Sequence, residues 1–234
     1  MEIMIEINKI TNLVHKEGYN FVLIALLVTI FALFLSKFLA VFCMLATIFC
    51  ALFFRNPERV TPINDNFVIS PADGVVRAIT EELAPAELKL GDEKMTKISI
   101  FLSVFDVHVN RVPMSGKVTQ LNYHPGKFLN ASLDKSSIHN ERQSVVLDTT
   151  NGNKIVFVQI AGLIARRIVC DLEEGQEVNA GSRFGIIRFG SRMDVYLPSS
   201  VYVKVAKGQY VIGGETILST FGNSDDEIRK FEVR

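Results

Sequence analysis

Two uncharged apolar runs near the start of the chain, residues 21–35 and 38–54, separated only by Ser36 and Lys37, constrain it more than any other feature. Each is a little short of the roughly 20 residues that cross a bilayer as a helix. They make either a tight helical hairpin with Lys37 near its turn or one long tilted helix with a polar blemish. The hairpin is the expected arrangement, because it returns the chain to the side where it began. Arg55 and Arg59 follow directly, as positive charge does on the cytoplasmic side of a membrane. The apolar region is too long and starts too late for a cleaved signal peptide, and the alternative is a buried helical pair in a soluble protein. Ahead of it, Ile3, Ile7, Ile10 and Val14 recur at helical spacing, with Gly18 as a stop. This segment reads as an interfacial helix or as one packed on the rest of the chain.

The composition changes after Phe54. Residues 55–62, Arg-Asn-Pro-Glu-Arg-Val-Thr-Pro, form a proline-marked linker that cannot continue a helix far. The expected division is therefore a membrane-associating helical region, 1–54, and a β-rich domain, 55–234. In the second part, short runs rich in Val, Ile and Phe predict strands at 67–69, 75–79, 97–104, 118–123, 145–147 and 155–160. Asn151-Gly152 supplies a hairpin turn between the last two, and residues 85–90 allow at most a short turn of helix. An internal echo adds topology: Gly175-Gln176-Glu177-Val178-Asn179-Ala180-Gly181 returns 33 residues later as Gly208-Gln209-Tyr210-Val211-Ile212-Gly213-Gly214. The pattern G-Q-x-V-x-x-G suits a tight turn into a strand that bends at the second glycine. Two copies predict a mainly β, pseudo-symmetric sandwich or barrel preceded by the helical hairpin. Lipoyl and biotinyl carrier domains use the same turn and strand, but neither copy has a lysine at a hairpin tip.

Lysine plus arginine equals aspartate plus glutamate at 25 each, so no basic excess points to nucleic acid. Cys43, Cys50 and Cys170 lack metal-type spacing and read as apolar thiols in a reducing compartment. No metal-ligand spacing, phosphate loop or G-x-S-x-G elbow is present. Among four histidines, His108 lies in Phe105-Asp106-Val107-His108-Val109-Asn110-Arg111-Val112-Pro113. Strand alternation there puts His108 and Asn110 on one face and Arg111 on the other. His108 is either a proton shuttle or a hydrogen-bonded strand residue, and His124 beside Pro125-Gly126 reads as a turn residue. His139 sits in a polar loop that is surface or lid. Asp73 closes the turn Ser70-Pro71-Ala72-Asp73-Gly74.

Gly190-Ser191 ends one apolar run and precedes another, in Arg188-Phe189-Gly190-Ser191-Arg192-Met193-Asp194-Val195. A serine held against its preceding carbonyl can attack it, turning the amide into an ester. Elimination at the serine Cβ and loss of ammonia then leave a pyruvoyl group. Gly181-Ser182, nine residues upstream, shows that such pairs also occur as plain turns.

Taken together, these residues resemble the phosphatidylserine decarboxylase family in its shorter prokaryotic form, over roughly residues 53–218. The resemblance is carried in family order by Phe53-Phe54-Arg55-Asn56-Pro57-Glu58-Arg59, Pro71-Ala72-Asp73-Gly74, the segment 101–113, Asn140-Glu141-Arg142 and Phe189-Gly190-Ser191. It implies a proenzyme that cuts itself between Gly190 and Ser191 into a β chain, 1–190, and an α chain, 191–234, which stay associated. The covalent pyruvoyl cofactor formed from Ser191 would bind the serine amine of phosphatidylserine as a Schiff base, accept the electrons released with carbon dioxide, and yield phosphatidylethanolamine at the cytoplasmic side of the cell membrane. The resemblance implies lipid as the partner, excludes nucleic acid and leaves homo-oligomers open.

Two departures bear on the residues. Arg192 stands where longer members carry threonine. Of the Asp-His-Ser relay that longer members use for self-cleavage, Asp73 and Ser191 match, but the histidine falls on Arg111, which cannot serve as a base at neutral pH. His108 matches the histidine tied to decarboxylation, and Asn110 could orient an intermediate. Other readings are a decarboxylase of a related serine ether phospholipid, a decarboxylase of free amino acids, and a membrane-anchored β-barrel or carrier-like adaptor without catalysis.

Overall fold

The two apolar runs fold as separate helices, α1 (Tyr19–Leu35) and α2 (Lys37–Phe53), and Ser36 alone, in extended conformation, makes the turn between them. The computed structural model describes residues 13–126, 140–162, 167–188, 191–222 and 230–234. Most of the amphipathic segment before Leu13, with His139 and Gly190, lies outside that set. The chain divides into two compact units, Met1–Pro57 and Glu58–Arg234.

In the first unit the helices meet along small residues: Thr29, Ala32, Ala40 and Thr47 are buried. The Thr29 and Thr47 hydroxyls lie 2.9 Å apart, and each also reaches the carbonyl four residues back, Ala25 or Cys43. Small side chains let helices approach where no water competes, and such hydroxyls are satisfied without solvent. The bulky residues point the other way, with Phe34 83% and Phe38 87% exposed. A water-soluble helical pair would hide that surface. The ends close on each other: the His15 N–H donates to the Phe54 carbonyl and the Asn56 N–H to the Leu13 carbonyl, both at 2.8 Å. The hairpin therefore brings the chain back to where it started. Lys16–Leu35 is long and apolar enough to cross a membrane, and Lys37–Phe53 is apolar but shorter.

The second unit is built from β1 (Val60–Ile63), β2 (Phe67–Ile69), β3 (Gly74–Leu83), β4 (Lys94–Leu102), β5 (Val109–Arg111), β6 (Gly116–His124), β7 (Arg142–Thr149), β8 (Lys154–Ala161), β9 (Ile168–Cys170), β10 (Glu177–Val178), β11 (Arg183–Ile187), β12 (Ser191–Pro198), β13 (Tyr202–Val203), β14 (Tyr210–Val211), β15 (Ile217–Thr220) and β16 (Lys230–Val233). One eight-stranded sheet runs β10-β6-β7-β8-β12-β4-β3-β14, beside three-stranded sheets β5-β11-β9 and β13-β15-β2 and the pair β1-β16. The G-Q-x-V-x-x-G copies supply its two edge strands, β10 and β14. Both turns need glycine's left-handed freedom, with φ 86° at Gly175 and 91° at Gly208.

The symmetry extends to single hydrogen bonds. The Val118 N–H donates to Gln176 O as that of Val76 does to Gln209 O, both at 2.9 Å. The Gly181 N–H donates to Val112 O as that of Gly214 does to Ser70 O, both at 2.8 Å. Bulges fall at equivalent places, between Val76 and Ala78 and between Val118 and Gln120. The halves also grip each other reciprocally, the Ile69 N–H on Pro113 O and the Arg111 N–H on Pro71 O. One half thus comprises β2–β4 and β12–β15, and the other, β5–β11, is inserted between β4 and β12. The chain passes from the first half to the second after β4 and returns after β11.

Alternation sorts the large sheet into two faces. Ile98, Ile100, Leu102, Ile155, Phe157, Ala161, Met193, Val195 and Leu197 face the main core with Val68, Phe184, Ile187 and Leu218 from the small sheets and Val112 just after β5. Phe157 and Phe184 meet edge to face at 5.1 Å across that interface. The opposite face carries Val146, Val156, Val158, Ile160 and Tyr196, covered by Leu88 from the short turn Ala86–Leu88. The expected strands and helical hairpin are present. The strand expected to reach Val104 stops at Leu102, because the Ser103 N–H turns to the Asp106 carboxylate, 2.7 Å away.

Candidate active site

Ser191 is the first residue of β12 and sits between two neighbours in mid-sheet, opposite Leu102 of β4 and Ala161 of β8. It shares a face with Met193 and Val195, so its hydroxyl points into the core side and is fully buried. Among the described residues, Ser191 Oγ has no hydrogen-bond partner. Burying a hydroxyl without one is costly. Residues elsewhere in the chain hold Ser191 in place. The Asn140 side-chain amide donates to Ala161 O at 2.7 Å, and the Ala161 N–H donates to Glu141 O at 2.9 Å. On the far face, Arg192 Nη2 donates to Asp194 Oδ2 and Nε lies beside Oδ1, each at 2.9 Å, in a buried ion pair within one strand. Arg142 forks onto Glu87 at 2.7 and 3.0 Å.

His108 immediately precedes β5 and continues its pairing with β11, the Ile187 N–H donating to His108 O at 3.4 Å. The histidine is fully buried. Its Nδ1 is 3.0 Å from Asp106 O. A carbonyl only accepts, so Nδ1 carries the hydrogen and Nε2 is the nitrogen with the free lone pair in the neutral ring. Asp106 is itself held by the Tyr210 hydroxyl at 2.8 Å.

Asn110, two residues on, is fully buried and accepts at Oδ1 from Gln159 Nε2 at 2.9 Å. Gln159 belongs to β8, opposite Met193, one step diagonal from Ser191 on the same face. Sequence reasoning missed Gln159. Its signal was a lone amide in the otherwise apolar run Ile155-Val156-Phe157-Val158-Gln159-Ile160, a costly choice for a buried central strand. Asn110 Nδ2 and Gln159 Oε1, like Ser191 Oγ, have no partner among the described residues. An amide N–H, an amide oxygen and a hydroxyl are thus buried without partners among the described residues, the last two on one face of the sheet. Such a set fits a carbonyl group formed at residue 191.

Asp73 has a different surrounding. Its carboxylate accepts from Arg59 Nη2 at 2.7 Å and from the Gly213 N–H at 2.8 Å. The symmetric position is Ser115, whose Oγ accepts from the Ala180 N–H at 3.0 Å, so Asp73 performs the task in one half that Ser115 performs in the other. Arg111, on the position of the relay histidine, spans both repeats: Nη1 donates to Gly181 O at 2.7 Å, and its side chain packs against Gly214. Burial, then repulsion from Arg183 and Arg59, pushes the guanidinium down to about 9. It stays a cation at neutral pH and is no base there. Because Ser191 Oγ has no partner among the described residues, no Asp73–Ser191 hydrogen bond is present.

A family model described as phosphatidylserine decarboxylase matches residues 46–219. Similar curated relatives are named phosphatidylserine decarboxylase proenzyme. That of Rickettsia akari (strain Hartford) is 56% identical over 231 residues, covering 99% of this chain and 100% of the relative. That of Rickettsia africae (strain ESF-5) is 57% identical over 230 residues, 98% and 99% of the two chains. That of Rickettsia typhi (strain ATCC VR-144 / Wilmington) is 55% identical over 229 residues, with the same coverage.

Proposed function

The chain belongs to the phosphatidylserine decarboxylase family, and from that premise we propose that it is a self-processing proenzyme that converts phosphatidylserine to phosphatidylethanolamine. The observation that carries the reading is the buried Ser191 hydroxyl, at the first position of a central strand, with Gln159 on the same face and one polar atom each of Gln159 and Asn110 buried without a partner among the described residues.

Cleavage starts when Ser191 Oγ bonds to the preceding carbonyl carbon and the carbon–nitrogen bond at Ser191 breaks, the hydroxyl proton passing to the freed nitrogen. Loss of the Cα proton then expels the Gly190 carboxylate, and water replaces the nitrogen, which leaves as ammonia. The pyruvoyl group so formed supplies a carbonyl that condenses with amines and draws off the electron pair released with carbon dioxide. Arg192 and the hydrogen bonds of β12 hold the new α-chain terminus between β4 and β8 after the cut, so α and β chains stay together. His108 returns the proton that replaces the substrate carboxylate, using Nε2. Asp73 acts at a distance, by fixing the second repeat through Gly213. The helical hairpin inserts in the cytoplasmic side of the membrane, where a diacyl substrate resides.

The Ser191→Ala variant, assayed on vesicles containing phosphatidylserine, is expected to remain one chain and to release no carbon dioxide. His108→Ala is expected to process but to lose about 10²–10⁴ in turnover. A Ser191→Ala chain that still decarboxylates would overturn the reading, and an unprocessed, inactive parent would favour the adaptor.

A further inference from the structure

The relay histidine of longer family members is replaced here by a cation, and the neighbouring buried amides offer a different device. We propose that Asn110 is a catalytic residue of self-cleavage, its Nδ2 donating to the oxygen that becomes negative when Ser191 attacks, and that Gln159 is the positioning residue that aims it. The inference rests on the self-cleavage reading above.

The orientation of both amides follows from one backbone group. Gln159 Nε2 lies 3.3 Å from Val169 O and 2.9 Å from Asn110 Oδ1. The Val169 carbonyl can only accept, so the end of Gln159 that faces it is the NH2 group. That NH2 also faces Asn110, so the Asn110 atom it meets is the carbonyl oxygen. Nδ2 is thereby turned away from Gln159, and it is buried with no partner among the described residues. Gln159 Oε1 is likewise buried and without a partner there. Both amides lie on the core face that Ser191 Oγ points into, Gln159 by strand register and Asn110 through its bond to Gln159.

The chemistry needs such a donor. As the Oγ–carbon bond forms, the carbonyl π pair moves onto oxygen. When the carbon–nitrogen bond breaks, that pair re-forms the carbonyl of the ester. The proton lost by Oγ is gained by the departing nitrogen, so no net acid or base is consumed. An amide N–H fixed in a dry site stabilises the transient negative oxygen without rearranging, and removing one such donor typically costs about 10²–10³ in rate. Gln159 Oε1 can meanwhile accept the hydroxyl hydrogen and set the direction of attack.

The test follows conversion of freshly translated full-length chain to two pieces by intact mass, against pH, with melting temperature measured beside it. Asn110→Ala should slow conversion about 100-fold. In Asn110→Asp the side chain can donate only when protonated, so conversion should be slow at pH 7.5 and recover as pH falls. Gln159→Glu should behave alike: its carboxylate, unable to donate, draws the Asn110 NH2 toward itself and turns the Asn110 carbonyl to the reaction. A merely structural role would lower melting temperature without creating that pH dependence. If the parent converts and Asn110→Ala keeps its rate, or if Asn110→Asp shows the parent's pH profile, the assignment is wrong while self-cleavage stands. A parent that never converts overturns both.

Discussion

The strands β2 and β5 occupy equivalent places in the two halves of the β unit, yet one follows Asn66 as Phe67-Val68-Ile69 and the other follows His108 as Val109-Asn110-Arg111. Val68 and Asn110 are both fully buried. The first fills the main core and the second faces Gln159. The same backbone frame has thus been spent on packing in one half and on polar groups in the other. Burying an amide at Asn110 where the other half fits Val68 lowers stability. That half is therefore where chemistry should reside, and it is the half whose Asn110 meets Gln159 on the sheet face shared with Ser191.

Substitutions at matched positions sharpen the comparison. The largest difference is expected between Asp73→Ala and Ser115→Ala, each measured as thermal or denaturant unfolding of the full chain in detergent, on a Ser191→Ala background that keeps it in one piece. Both side chains accept one N–H from the repeat, but Asp73 also balances half-buried Arg59 and buried Arg111. Its loss should cost about 3–5 kcal/mol, against about 1 kcal/mol for Ser115. Equal losses would mean that the charge pairing contributes nothing. Next come Gly74→Ala and Gly116→Ala. A Cβ at Gly74 would overlap Phe101 O, and one at Gly116 would overlap Asp148 O. Each should cost about 1–3 kcal/mol, with Gly74 the worse because its φ is 151°. A tolerated Gly116→Ala would break the symmetry argument at that strand.

The last comparison is a pH dependence, of which only part is reached at the pH values where unfolding can be recorded. Arg111 is held at about 9, chiefly by burial and then by Arg183 and Arg59, below its ordinary value of 12.5. Between those two values the unfolded chain binds more protons than the folded one, so this residue makes stability rise with pH there, and its full penalty is present at neutral pH. In Arg111→Met that rise should vanish from unfolding curves recorded above pH 9. An unchanged pH profile would show that the guanidinium is not destabilised by its surroundings.

Much of this was legible in the residues. The apolar runs with one polar break gave the hairpin, because a bilayer-length pattern leaves few alternatives. The G-Q-x-V-x-x-G echo gave the pseudo-symmetry, because tight turns demand glycine at fixed places. The edge-strand placement of the two copies was not legible, since it follows from long-range register that no local pattern encodes. Asp73 and Ser115 share a task that neither residue type announces. Gln159 passed as part of an apolar strand, and only its contacts with Val169 and Asn110 show that it orients an amide.

The central claim is that Ser191 cuts the chain that carries it, and the intact mass of the purified parent in denaturing solvent tests it most directly. Two species are predicted, one ending at Gly190 and one beginning at residue 191 with a mass lowered by the conversion of serine to pyruvoyl. A single full-length mass from folded, catalytically active protein would contradict it.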